Sequence, residues 1–179
     1  MVEGGHRGAE RGHAGAERGQ AGPVRPANQR GAARLGAVQA LYQMDVGGGT
    51  LPAIVAEFET HRLGQILEGE QLLPADAGFF RLLVGGVVDL QRRIDPVIHE
   101  ALPPTWPLAR IDFTLRAILR CGVFELTERR DVPAKVVITE YVDVARAFFN
   151  ADEPGLVNGV LDAVARQARP EEFSATASA

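Results

Sequence analysis

From about Asn28 onward the chain is a series of apolar stripes at helical spacing, divided by short polar or Gly/Pro-rich breaks. Asn28 can cap a first helix running to about Val46, with Leu35, Val38, Leu41 and Tyr42 toward a core. The run Gly47-Gly48-Gly49-Thr50 ends it. Ile54, Val55, Phe58, Leu63 and Ile66 mark a second helix, and Asp76 can cap a third that carries Phe80, Leu83, Val84, Val87, Leu90 and Ile94. Asp95-Pro96 is expected to restart or kink that helix, because proline lacks an amide donor and crowds the preceding turn. PPTWP at residues 103–107 reads as a turn. Leu115, Ile118, Leu119, Gly122 and Leu126 define a central helix, and Asp131-Val132-Pro133 opens another with Val137, Tyr141, Val144 and Phe148 on one face. The last stripe, Leu156, Val157, Val160, Leu161, Val164 and Ala165, lies within EPGLVNGVLDAVAR, where Pro154 suits a first helical turn. No stretch alternates with a sustained period of two. The pattern predicts an all-α protein of about seven helices joined by short connections.

Gly159 breaks the logic of that last stripe. It points away from the apolar side, beside Asp162 and Arg166, while a helix-interior glycine costs about 1 kcal/mol against alanine. Its presence predicts that another helix or a ligand comes close to the backbone there.

The N-terminal 28 residues have a different texture. GAERGHA at 8–14 is followed by GAERGQA at 15–21, a near-perfect duplication with only alanine to fill any heptad seam. Gly, Arg, Glu and Ala without large apolar side chains cannot offset chain entropy by burial, so residues 1–28 are expected to form a disordered arm. The folded domain is expected over 29–169 and a flexible tail over 170–179. Charge divides at the same place. The first 34 residues hold six Arg against three Glu, and the remainder holds 13 Lys or Arg against 20 Asp or Glu. A basic arm on an acidic body is one way to reach nucleic acid, and a short Arg/Gly tail can also be inert.

Other classes fall away. No apolar run approaches the roughly 18 residues of a membrane span, and the N-terminus has no apolar signal region. The single cysteine, Cys121, sits in the apolar LRCGVFEL stretch and reads as a small buried hydrophobe in a reducing, cytoplasmic compartment. GGGT lacks the Gly-Lys of a phosphate loop, His61 and His99 are isolated, and no metal-ligand spacing occurs. Glu140 and Asp143 beside Tyr141 read as a solvated face. The sequence therefore predicts no cofactor, no metal and no enzyme activity. The first helix offers more. Arg30 and Arg34 could contact phosphate, and Gly36, Gln39 and Gln43 form one stripe with Tyr42 at its border. Glutamines can read base edges and tyrosine can stack on an unpaired base. The same residues also fit a plain polar face with Tyr42 in the core.

Five segments taken together carry a resemblance: AVQALYQ (37–43), FFRLLVGGV (79–87), Trp106 and Arg110 before LRAILRCGVFEL (115–126), DVPAKVVITEYVDVARAF (131–148) and LVNGVLDAVAR (156–166). Over residues 29–169, in order, the chain resembles the NusB family. The resemblance implies two small helical subdomains packed together and no catalysis. It implies binding of boxA-type nascent RNA jointly with NusE, a small-subunit ribosomal protein, within an antitermination complex on RNA polymerase that supports rRNA synthesis. It places Arg30, Arg34, Gln39 and Tyr42 on the RNA side, with Asp152, Leu156 and Asn158 along the same edge. It places Asp112, Leu115 and Arg116 toward the partner. Two departures stand out. Gly31 and Ala32 dilute the basic start, and Leu115 replaces a glutamate that some relatives direct at NusE, with Asp112 one turn earlier as its substitute. Two other readings share the segments. One is an NusB-like domain of the kind found in rRNA methyltransferases, for which no catalytic Cys motif follows; the other is a purely protein-binding helical module.

Overall fold

The structure is a computed structural model that describes residues 29–63 and 75–174. The arm over 1–28, the expected contribution of Ile66 and residues 175–179 lie outside that range. Seven α-helices and one short 3-10 turn make up the described residues, with no strand among them. They are α1 (Gln29–Gly47), α2 (Leu51–His61), α3 (Ala77–Ala101), α4 (Phe113–Glu128), α5 (Ala134–Phe148), α6 (Glu153–Ala168) and α7 (Glu171–Ser174).

Local chemistry sets the boundaries. Gly48 and Gly49 take positive φ values of 71° and 114°, which lets the chain leave α1 and turn at once into α2. Thr50 caps α2 by accepting from Ala53 N–H at 3.4 Å, and Asp76 caps α3 by accepting from Phe79 N–H at 2.9 Å. Asp112 caps α4, with one carboxylate oxygen accepting from the amides of Thr114 and Leu115 at 2.7 and 3.3 Å. Of the restart or kink expected at Pro96, the restart does not occur. α3 continues through it, and both Arg92 and Pro96 are exposed, so the carbonyl freed by the missing N–H lies on the solvent side of the helix.

α4 is the hub. It packs against α1, α3, α5 and α6, and all six long helices feed one continuous apolar cluster. Two glycines set the spacing. A Cβ on Gly86 of α3 would stand 2.2 Å from the Phe124 ring, and one on Gly122 of α4 would stand 2.7 Å from Leu161. Cys121 is fully buried, and burial raises its pKa far above the usual thiol range, so it is an inert core residue.

The expected flexible tail is overturned up to Ser174. Arg169 is wholly buried and donates to the carbonyls of Glu125, Leu126, Arg129 and Val132, in the last turn of α4 and the turn that follows it, where a cation suits the negative end of the helix. Glu172 of α7 then bonds Arg169 at 3.0 Å and accepts from Ala134 N–H at 2.7 Å, capping α5 where Pro133 offers no side-chain acceptor. Phe173 packs on the core. The end of the chain is a clasp.

Candidate nucleic-acid and partner interface

One side of α1 is left uncovered. Ala33, Arg34, Gly36, Ala37, Val38, Ala40 and Leu41 are buried, while Gln39, Tyr42 and Val46 are exposed on the opposite arc with Gln43 at its border. Gly36, expected on the same stripe as Gln39, instead faces Leu63 and Phe80. Tyr42 is 41% exposed, so its expected place in the core is corrected in favour of the open face. These side chains form one wall of an open groove of about 520 Å³, closed by Arg62, Thr114 and Phe148. Gln43 donates to Glu57 at 2.9 Å, and Arg62 both pairs with Glu57 at 3.2 Å and stacks over Phe58. The lining is therefore amide, aromatic and aliphatic, with its cation already partnered.

The two arginines expected to hold phosphate are not on this face. Nine residues separate Arg30 from Gln39, which at about 100° each puts them on opposite sides of α1. Arg30 lies over the Phe79 ring at 5.0 Å. Arg34 is only 3% exposed; its Nε and Nη2 each bond a Glu125 oxygen at 2.9 Å, and Nη1 reaches Glu140 at 3.2 Å. Burial would lower the Arg34 pKa, but the bonds and charge of Glu125 outweigh it and hold the guanidinium above its ordinary value. Tyr141 also donates its hydroxyl to Glu125. Arg34 is thus a structural cation, and its expected phosphate contact is withdrawn. Glu140 is likewise tied to the interior instead of forming a solvated pair with Asp143.

Around the groove the remaining expected residues divide in the same way. Asp112 is exposed but spends an oxygen on the start of α4. Leu115 is 1% exposed inside the core, so it offers no side chain to a partner. Arg116 is half-buried, donates to the Leu108 carbonyl at 3.1 Å and stacks on Phe113. Asp152 and Asn158 are exposed, whereas Leu156 is buried on the apolar side of α6 and drops out as a contact. A Cβ on Gly159 would meet nothing within 4 Å, so no helix of the described chain explains that glycine. Phe113 and Phe148, 42% and 41% exposed, were not singled out as surface residues by the pattern. Phe148 continues the i, i+4, i+7 stripe of α5 one turn too far, past the edge of the core.

The NusB family profile matches residues 31–166. The chain belongs to the NusB family. It is 63% identical over 149 residues to the transcription antitermination protein NusB of Rhizobium leguminosarum bv. trifolii, covering 83% of this chain and 93% of that one. The NusB of Rhodopseudomonas palustris is 59% identical over 150 residues, covering 84% and 89%. Among solved structures, NusB of T. maritima superposes with a TM-score of 0.66 at 26% identity, covering 82% of this chain and 97% of that one. The fold is also that of a chain from a crystal structure of antitermination factors NusB and NusE in complex with double-stranded RNA, at TM-score 0.64 and 24% identity over 78% and 97%. The all-α expectation holds, and so does the family. Among the described residues no helix is long and apolar enough to cross a membrane, and no group of His, Cys, Asp and Glu could hold a metal ion.

Proposed function

We propose that this NusB-family chain is a transcription antitermination factor that binds boxA-type RNA jointly with a NusE-type ribosomal protein and performs no catalysis. The observation that carries the reading is the amide- and aromatic-lined groove on the open side of α1, whose cation, Arg62, is already paired with Glu57. Such a lining suits exposed base faces and base edges, which stack on aromatic rings and bond to amides, better than it suits a phosphate backbone. Gln39 and Tyr42 form its RNA side, and Asp152 and Asn158 extend the edge from the end of α5 into α6. Asp112, Arg116 and the exposed Phe113 form the partner side at the start of α4. Phosphate neutralisation is left to Arg30, to the arginines at positions 7, 11, 18 and 25 of the arm, and to the basic partner.

Tyr42→Leu tests the RNA side. Removing a stacking ring should weaken RNA binding by about 1–3 kcal/mol, while an exposed site should leave the melting temperature unchanged. Unchanged affinity in a fully folded variant would remove Tyr42 from the interface.

A further inference from the structure

α1 and α4 are joined by two ion pairs of opposite polarity, Arg34–Glu125 buried on both sides and Asp45–Arg120 buried on the Arg120 side alone. Near its start α1 supplies a cation, Arg34, to the anion Glu125 of α4. Near its end it supplies an anion, Asp45, to the cation Arg120 of α4 at 3.0 Å. Arg120 is 5% exposed and also holds Asp95 of α3 through two bonds of 2.8 and 2.9 Å. The pairing is antiparallel, since the earlier residue of α1 meets the later residue of α4. Running α1 the other way would set Arg34 toward Arg120 and Asp45 toward Glu125, like against like. A slip of one turn would part the buried Arg34 from the buried Glu125 and take Asp45 away from Arg120.

Asp45 is informative because it violates a local rule. An acid in the last turn of a helix faces the negative end of the helix dipole and is unfavourable by a few tenths of a kcal/mol to about 1 kcal/mol. Its place is explained by what it holds. Buried ion pairs add little net stability over apolar packing, and their best-attested use is to fix register.

We propose that Arg34–Glu125 and Asp45–Arg120 are positioning residues that set the register of α1 on α4 and so fix Gln39 and Tyr42 opposite Thr114 and Phe148 across the groove. They act on RNA and partner binding without touching either ligand, and this consequence rests on the proposed function. The register claim itself does not.

Asp45→Asn and Glu125→Gln test it, with Asp45→Asn as the milder change because Arg120 keeps both bonds to Asp95. Amide hydrogen exchange is compared across α1 and α5 in each variant, and affinity for a boxA-type RNA oligonucleotide is measured with the ribosomal protein present. Asp45→Asn should speed exchange over residues 40–47 at least tenfold more than over α5, against the slowing that relief of the helix dipole alone would give. It should weaken RNA binding at least threefold, Asp45→Glu should restore both readouts, and Tyr42→Leu should cost less in the Asp45→Asn background than in the wild type. Exchange that is unchanged, slowed or raised evenly in all helices would overturn the register claim. Localised loosening with RNA affinity intact would overturn its link to binding. A wild-type chain that fails to bind the RNA would count against the proposed function, with the exchange result still deciding the register.

Discussion

Arg34 shows how one residue type serves two unrelated purposes. An arginine in the second turn of a first helix, following a basic arm, looks like a phosphate contact, and nothing nearby in the sequence argues otherwise. Its partner, Glu125, lies 91 residues away, beyond the reach of any local pattern. Leu115 and Leu156 are similar, since the family resemblance implied a contact at each, and an apolar side chain there stays in the core once the helix is packed. Tyr42 errs in the other direction, because a helical stripe predicts which side is apolar and not how far the core extends along it. Arg34→Ala should therefore destabilise the fold by about 3–5 kcal/mol, the cost of leaving Glu125 buried without its cation. Denaturant unfolding measures this. The salt dependence of RNA binding by the folded variant should match the wild type, whereas a flattened slope with stability intact would return Arg34 to the phosphate surface.

At the scale of elements, the pattern located the six long helices, their caps at Asp76 and their stops at Gly47–Thr50, because these depend on neighbours within a turn or two. It left Pro96 open between a restart and a kink, where the helix in fact runs on with the freed carbonyl on its solvent side, and it missed the chain end, where Arg169 and Glu172 work across more than 35 residues. Four residues of helix are too short to leave a periodic signal. The clasp has a pH signature. Glu172 has its pKa held below the usual carboxylate range, first by the Ala134 N–H and then by Arg169, so it stabilises the folded state above its unfolded pKa. That contribution is lost as pH falls through the lowered folded value. Glu172→Gln keeps an acceptor for Ala134 but removes the charge. Its melting temperature should lie below the wild type at pH 7, with the gap closing as pH is lowered from about 5 to about 3. A constant gap across that range would show that the charge of Glu172 does not hold the clasp.

For the whole molecule, charge and shape point the same way. Beyond residue 34 the chain carries seven more acids than bases, Arg34 and Arg120 are consumed inside it, and the groove presents amides and rings. Counterion release on this surface alone supplies little drive for RNA, and a basic protein seated at the start of α4 would supply the missing phosphate contacts. The two ligands should then strengthen each other to the same degree, as linkage requires. The most direct measurement is a titration of boxA-type RNA into the chain alone and into its pair with the NusE-type protein, at one fixed salt concentration. The pair should bind at least tenfold more tightly, a coupling of about 1.4 kcal/mol, and RNA should tighten the protein–protein contact by the same factor. Equal affinities for RNA with and without the partner would contradict joint binding, whatever the fold.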